Sequence, residues 1–537
     1  MAFNILMHGI DLWHSSTGTL VATVFCLWLG WRLWRFTIRP TLWPDEPRVL
    51  PYWFPFIGHT WHFIRNPETL INYGFTYFGS DQPFSIVVAG RRTVIIRNVQ
   101  DVSAVWRNTE ALSIDAFVVD TLRAFGISNP TLKKIFTDPR DLIHGKAQAK
   151  SLLINKNPHN KVYMDLERDW FTTGLLAPEI LQGLERTYHN HLRQCLAWHN
   201  VSSLLGVPSE SPPGTSHTVS LGRFCQYTVS YCSTHTFFGD KLFEVAPEFL
   251  KHYQEFEKES WKIFYRLPPF LARSSHRAKD RGINGLVIYL SIPEQERSDM
   301  DWIFRTITSE LGYLGVEAQD IAAFVMVLIW AINNNAHKVG FWILAHLLHD
   351  PPYLAQVQTE VEAAYAVSDR EPDMRVLLND CPHLDAVWYE VMRLYNATSA
   401  IRQAKAPCII GGKAIRVGDQ LVAPFRQFHL NCSIFGDDAA NFRPQRFLEN
   451  KGLPRKKGYA PFGGGYTYCP GRLFAQREIY LFVAETLWRF DMKPVPGPGG
   501  LKMPNVDAST PSAAAMSPER DVEVILRPRV HPSVAGS

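Results

Sequence analysis

Cys469 lies in the run Phe462-Gly463-Gly464-Gly465-Tyr466-Thr467-Tyr468-Cys469-Pro470-Gly471, followed by Arg472-Leu473-Phe474-Ala475, where a glycine-rich loop gives way to an amphipathic helix. A single cysteine so placed is poorly suited to zinc, whose structural sites take four protein ligands with paired spacings. It suits one axial thiolate on a haem iron. Gly463 to Gly465 permit a tight turn and a close approach of backbone to a flat macrocycle. Amide N–H groups at the helix start near Pro470 favour the sulfur as an anion. A cysteine taken alone is more often simply buried, so the rest of the chain has to separate the two readings.

The pattern Phe-x-x-Gly-x-x-x-Cys-x-Gly, completed by Ala475, resembles the haem loop of the cytochrome P450 superfamily. The resemblance implies haem b (iron protoporphyrin IX), with Cys469 as the iron's axial ligand and Phe462, Gly463, Gly465 and Gly471 against the cofactor. Further family features recur in order. Glu390-Val391-Met392-Arg393 is a Glu-x-x-Arg, whose ends lie on one helix face and can pair. Phe442-Arg443-Pro444-Gln445-Arg446-Phe447 resembles the element whose arginine joins that pair. Glu390, Arg393 and Arg446 therefore look like a buried triad that braces the haem-binding core. The stretch His429-Leu430-Asn431, then Ile434 to Asp438, matches the approach to that arginine. Arg402 occupies the place where family members hold a haem propionate, a contact that suits a guanidinium's bidentate geometry.

Residues Ile321 to Leu348 read as a long apolar helix. Family members usually place an acid and then a threonine at its centre, opposite the iron. Here Asn334 takes the acid's place and Asn335 the threonine's, within Trp330-Ala331-Ile332-Asn333-Asn334-Asn335-Ala336-His337. Consecutive asparagines inside an apolar helix are costly unless partnered. They either stitch a neighbouring helix or serve a water network at the reacting centre. Trp-Ala-x-x-x-Asn followed by Phe341-Trp342 resembles the branch with bile-acid sterol hydroxylases and prostacyclin synthase, where asparagine replaces threonine. Asn396 to Arg402 looks like the same branch. That branch holds both monooxygenases and an isomerase that consumes no reductant.

Two departures from the family pattern stand out. Thr467 takes a position often held by a propionate-binding basic residue, and residues 140 to 155 carry no clear Trp-x-x-x-Arg. Arg402 is then the best propionate partner, with Lys146 and Lys150 as weaker candidates.

A chain of 537 residues, 46% hydrophobic and 13% aromatic, can bury a large core, and a net charge of +4 invites no nucleic-acid partner. Eight cysteines without paired spacing argue against a disulfide framework or a zinc site, and hence for a reducing compartment. Leu12 to Trp31 contains no Asp, Glu, Lys or Arg and has the length of a spanning helix. Tryptophans at 13, 28, 31 and 34 suit an interfacial belt, and Arg32, Arg35 and Arg39 mark the cytoplasmic side. A cleaved signal peptide fits less well, because the basic residues follow the apolar run.

The expected organisation is therefore a membrane anchor over 1–39, a proline-rich hinge over 40–59 and a haem-thiolate catalytic domain over 60–537. The fold is expected to be mainly α with small β-sheets, the cytochrome P450 fold, preceded by one transmembrane helix. Two Ile/Val-rich runs between Phe84 and Ile96 predict a hairpin around Ala89-Gly90, and Asp521 to Leu526 predicts a last strand. A loop is expected over Val207 to Ser216.

The resemblance implies a monooxygenase that draws electrons from NADPH through a separate cytochrome P450 reductase, at the endoplasmic reticulum membrane, single-pass and facing the cytosol. Lys451, Arg455, Lys456 and Lys457 precede the cysteine loop and are candidates for the reductase-docking face. Phe324, Val325, Leu328, Ile332 and the Thr398 to Ile401 strand are the expected pocket wall. Their apolarity favours a terpenoid, sterol-like or polyketide-derived substrate in secondary metabolite biosynthesis. An isomerase or dehydratase working without external electrons is the alternative.

Overall fold

In the computed structural model of the chain, Ala89 and Gly90 take φ values of 48° and 76°, the positive values that a type I′ hairpin turn requires at both central residues. They reverse the chain between strands Phe84–Val88 and Arg91–Ile95, paired antiparallel with Phe84 opposite Ile95. The predicted hairpin is thus present. It lies inside a mixed six-stranded sheet, in the order Arg48–Val49, Phe84–Val88, Arg91–Ile95, Gln420–Pro424, Ser399–Ala404, Leu112–Ser113. Leu50, Leu70, Ile71, Phe84, Ile86 and Ile95 form the core beside it. The structure describes residues 2–136, 163–205, 216–366, 371–497, 500–512 and 514–529. The segment 140–155, with Lys146 and Lys150, lies outside these residues, as does most of the loop expected over 207–216.

The sheet belongs to the smaller of two compact units, Met1–Ser113 with Ala400–Pro424; Ile114–Ser399 with Phe425–Ser537 forms the larger. The smaller unit begins with a helix over Ala2–Leu33, which a π turn at Trp34–Ile38 joins to a short helix Arg39–Leu42. No helix among the described residues is long and apolar enough to cross a membrane. The spanning helix expected over Leu12 to Trp31 finds no support there.

The proline-rich segment is hydrogen-bonded within its own unit. Pro40 sits in the short helix Arg39–Leu42, directly after the π turn Trp34–Ile38. Beyond it the chain is held by its own unit: Trp28 Nε1 donates to the Trp53 carbonyl at 2.9 Å, Arg32 to the Tyr52 carbonyl at 2.6 Å, and Lys413 to the Pro44 carbonyl at 2.7 Å.

The larger unit is helical, with one three-stranded antiparallel sheet of Phe490–Pro494, Glu523–Pro528 and His217–Ser220. The predicted last strand is the middle member of that sheet, two residues later than expected. A helix of 32 residues, Ala318–His349, runs through the core, packed by helices Leu221–Phe238 and Arg273–Ser291. It also approaches helix Arg472–Arg489 closely: a Cβ on Gly340 would stand 2.9 Å from the Phe482 ring. Mainly helical with small sheets, the architecture agrees with the expected fold class.

Candidate active site

The cysteine loop is built by its glycines and its own backbone. Gly463 and Gly465 hold φ values of 73° and 65°, a region that side chains with a Cβ rarely adopt. A 3₁₀ turn over Gly465–Thr467 follows, and the Cys469 N–H donates back to the Phe462 carbonyl at 3.1 Å. Helix Arg472–Arg489 starts at once, with Gly471 as its N-cap. The amides of Gly471 and Arg472 donate to the Cys469 sulfur, and the Arg472 guanidinium adds positive charge nearby. Arg472 is itself fixed: it donates to the Cys469 carbonyl at 2.9 Å and lies 4.2 Å from the Tyr468 ring centroid.

Burial nonetheless outweighs these donors and pushes the thiol pKa above its ordinary value. The helix start does not by itself make the thiolate expected from sequence. A coordinated metal ion does so outright. A free sulfur met by two amide donors at a glycine-lined loop fits a haem iron, and no other cysteine of the chain has that setting among the described residues.

The loop is held by groups that sequence reasoning missed. Asn396 Nδ2 donates to the Pro461 carbonyl at 2.9 Å, Thr398 Oγ1 to the same carbonyl at 3.0 Å, and the Ala460 amide donates to His429 Nε2 at 3.1 Å. Burial and the neighbouring arginines hold the His429 pKa down at about 3, so its imidazole stays neutral and able to accept. All three residues lie in stretches that carry the family resemblance, but their spacing alone names no partner.

Glu390, Arg393 and Arg446 meet as a fully buried cluster. Arg393 grips Glu390 with two bonds of 2.8 and 2.7 Å, and Arg446 Nε donates to Glu390 Oε1 at 3.2 Å. The remaining guanidinium protons reach the carbonyls of His429, Ala439 and Asn441 from Arg393, and those of Phe435, Asp438 and Asn441 from Arg446. Helix Pro382–Leu394 is thereby tied to the chain that leads into the cysteine loop.

Along the long helix Trp330 and Ile332 are half-buried, and exposed Ala331 with half-buried Val327, Asn334, Asn335 and Lys338 makes a stripe. Spacings of three and four put them on one face. Of the expected pocket wall, Ile332 is half-buried, but Val325 is fully buried and Phe324 packs edge-on against Tyr163.

The three asparagines divide. Asn333 is buried and donates to Thr234 of helix Leu221–Phe238 at 3.0 Å, which makes it a stitch. Asn334 Oδ1 accepts from the Lys338 ammonium at 2.8 Å. Asn335 Oδ1 accepts from the Ala515 amide at 3.2 Å, and its Nδ2 donates to the Ala331 carbonyl at 3.4 Å.

Behind this face, Glu257 accepts from Gln226 at 3.0 Å, pairs with His337 at 2.6 Å and lies 3.5 Å from Lys338. Burial raises its carboxyl pKa, but His337 and Lys338 outweigh that and hold it at about 2. A lysine inside the helix face and a glutamate on another helix were both invisible as a pair in the sequence.

Arg402 lies in strand Ser399–Ala404 within the smaller unit, buried, with Nη1 donating to the Ile401 carbonyl at 2.7 Å. Thr467 Oγ1 donates to the Gly464 carbonyl at 3.3 Å, inside the loop. Lys451, Arg455, Lys456 and Lys457 are exposed.

The family model described as Cytochrome P450 matches residues 223–516, more than half of the chain. Among curated proteins, "Cytochrome P450 monooxygenase poxD" of Penicillium oxalicum is 27% identical over 85% of this chain and 89% of its own length. "Cytochrome P450 7A1" of Oryctolagus cuniculus is 24% identical over 94% and 97%. "Cholesterol 7-alpha-monooxygenase" of Cricetulus griseus is 27% identical over 51% and 58%.

Proposed function

The chain belongs to the cytochrome P450 family and is a haem b-dependent monooxygenase; from that premise we propose that it oxygenates a terpenoid, sterol-like or polyketide-derived molecule in specialised metabolism. The observation that carries the reading is the Cys469 sulfur, met by two backbone amides where a glycine loop enters a helix. Cys469 would hold the iron, with Phe462, Gly463, Gly465 and Gly471 lining the cofactor and Arg402 meeting a propionate. When bound, the haem supplies oxygen activation, which a thiolate ligand favours by promoting O–O cleavage.

The chain's own residues position the substrate and the proton carrier. Val327 and Ala331 offer apolar contact on the open face of the long helix, beside Asn334 and Asn335. An amide orients a water molecule by donating and accepting, but it is no useful acid near neutral pH. Protons must then come through water held by Asn334 and Asn335. The test of substrate class is direct: a true substrate changes the haem spin-state spectrum and drives NADPH oxidation when reductase is present. Isomerisation of an organic peroxide without reductant, with no oxygen passed to a second molecule, would move the enzyme to the isomerase reading, which the asparagine in threonine's place keeps open.

Asn335→Ala is expected to leave haem bound and to uncouple NADPH oxidation from product, releasing peroxide. Product yield per NADPH should fall by about 10²-fold if Asn335 positions the proton carrier. Unchanged coupling would leave Asn335 as a stitch to the segment at Ala515.

Electron supply is assigned to the basic surface of Lys451, Arg455, Lys456 and Lys457. Opposite charge on a partner raises encounter rate more than affinity. Lys456→Glu with Lys457→Glu should slow reductase-driven reduction and flatten its salt dependence, since screened attraction is what the reversal removes. Peroxide-driven turnover should be unchanged. Loss of both routes together would assign the loop to support of the haem site instead.

Membrane association at the endoplasmic reticulum, with the catalytic part facing the cytosol, is proposed on the smaller unit's apolar surface. Leu20, Val21, Val24, Phe25 and Leu27 are exposed on the first helix, and Trp53, Phe54, Phe56, Ile57 and Trp61 are exposed beyond it. An apolar helix face with aromatic neighbours suits insertion at a bilayer surface.

A further inference from the structure

His191, His235 and Asp240 offer one ligand atom each, all within 4.8 Å of one another, in the larger unit and apart from every residue assigned to the haem site. His191 is near the end of helix Pro178–Cys195, His235 near the end of helix Leu221–Phe238, and Asp240 two residues past that end. The imidazole of His235 is fixed in place. It stacks on Phe243 at 3.9 Å and 6°, lies 4.1 Å from the Tyr231 ring, and stands 5.2 Å from the His191 ring. Its Nδ1 faces Asp240 Oδ1 at 2.9 Å, while its Nε2 is buried without a hydrogen-bond partner among the described residues. Nδ1 is therefore the nitrogen that can share an ion with Asp240, since an ion on Nε2 would lie on the far side of the ring.

Asp240 is in turn oriented from behind. Gly239, at a φ of 67°, lets the chain turn so that the Asp240 amide donates to Asp299 Oδ2 at 2.9 Å. A Cβ at Gly239 would collide with the Asp299 carboxylate at 2.0 Å, so the turn and the second carboxylate are built together. Asp240 is exposed and His191 only half-buried, which leaves a path for an ion from solvent.

We propose that His191, His235 and Asp240 form a binding site for a divalent transition-metal ion of the zinc class, which staples the ends of helices Pro178–Cys195 and Leu221–Phe238. Two imidazoles and a carboxylate suit zinc or its neighbours, with water completing the tetrahedron. Calcium and magnesium demand oxygen-rich sets that these residues do not offer. Because the ion binds the folded arrangement and not the unfolded chain, it raises stability with the logarithm of its concentration once that exceeds the dissociation constant.

The test uses the full-length haem-loaded enzyme and zinc ion alone. Calorimetric titration is expected to show saturable binding of a single equivalent, accompanied by an upward shift in melting temperature that a chelator reverses. His191→Ala and Asp240→Asn, both outside the buried core, should each weaken zinc binding by about tenfold or more. Their ferrous carbon monoxide spectra should match the parent's, which shows that the fold is kept. Absence of saturable binding in the parent, or undiminished binding in either variant, would overturn the site.

Discussion

Cys469→Ala is expected to remove the strongly red-shifted Soret band of the ferrous carbon monoxide complex and, with it, all monooxygenase turnover. The loss is expected to be complete, because no second cysteine among the described residues has two backbone amides on a glycine-lined loop at a helix start. It should also be local. The bond that closes the loop runs from the Cys469 N–H to the Phe462 carbonyl, and Asn396 and Thr398 hold Pro461 by its carbonyl. None of these uses the sulfur, so the variant should still fold, with a far-ultraviolet spectrum like the parent's. Persistence of the red-shifted band in the purified variant would sink the assignment of Cys469 as the axial ligand.

The same loop shows what a sequence can carry and where it stops. Gly463, Gly465 and Cys469 state a local geometry, because a positive φ and a helix start follow from neighbours in the chain. The hairpin at Ala89-Gly90 is legible for the same reason. Glu390 and Arg393 are legible as a pair by their spacing on one helix, and Arg446 only through resemblance, since its approach to Glu390 closes a loop of more than fifty residues.

The long helix marks the limit. Residues 321 to 348 are apolar almost all round, so hydropathy has no phase from which to read a face. Val325 is fully buried, and an open stripe runs through Val327, Ala331 and Asn335. Lys338 reads as a solvated charge until Glu257, from a different helix, is found beside it.

Glu390→Ala carries the second large effect, through stability and not through chemistry. Glu390 is the common anion of two guanidiniums: Arg393 and Arg446 are buried with it, and the Arg443 amide also donates to its Oε1 at 2.7 Å. Removing one member of a buried ion pair leaves an uncompensated charge and costs about 3–5 kcal/mol. That is a large part of the roughly 5–15 kcal/mol that separates a folded domain from its unfolded chain. Purified Glu390→Ala should therefore yield little haem-loaded protein.

Arg446→Ala should be milder, because Glu390 keeps its two-bonded Arg393. What it leaves unmet is the Phe435 carbonyl, because that of Asn441 still accepts from Arg393 and that of Asp438 from the Asn441 amide, a loss of about 1–3 kcal/mol for a buried group left without its partner. The ranking separates bracing from catalysis. Haem-loaded yield should fall in the order parent, Arg446→Ala, Glu390→Ala, while whatever haem-loaded Arg446→Ala survives keeps the parent's carbon monoxide spectrum and KM. A normal yield of haem-loaded Glu390→Ala would show that the buried cluster does not hold helix Pro382–Leu394 to the cysteine loop. A folded Arg446→Ala with intact spectrum but altered KM would move that arginine from the brace to the substrate side.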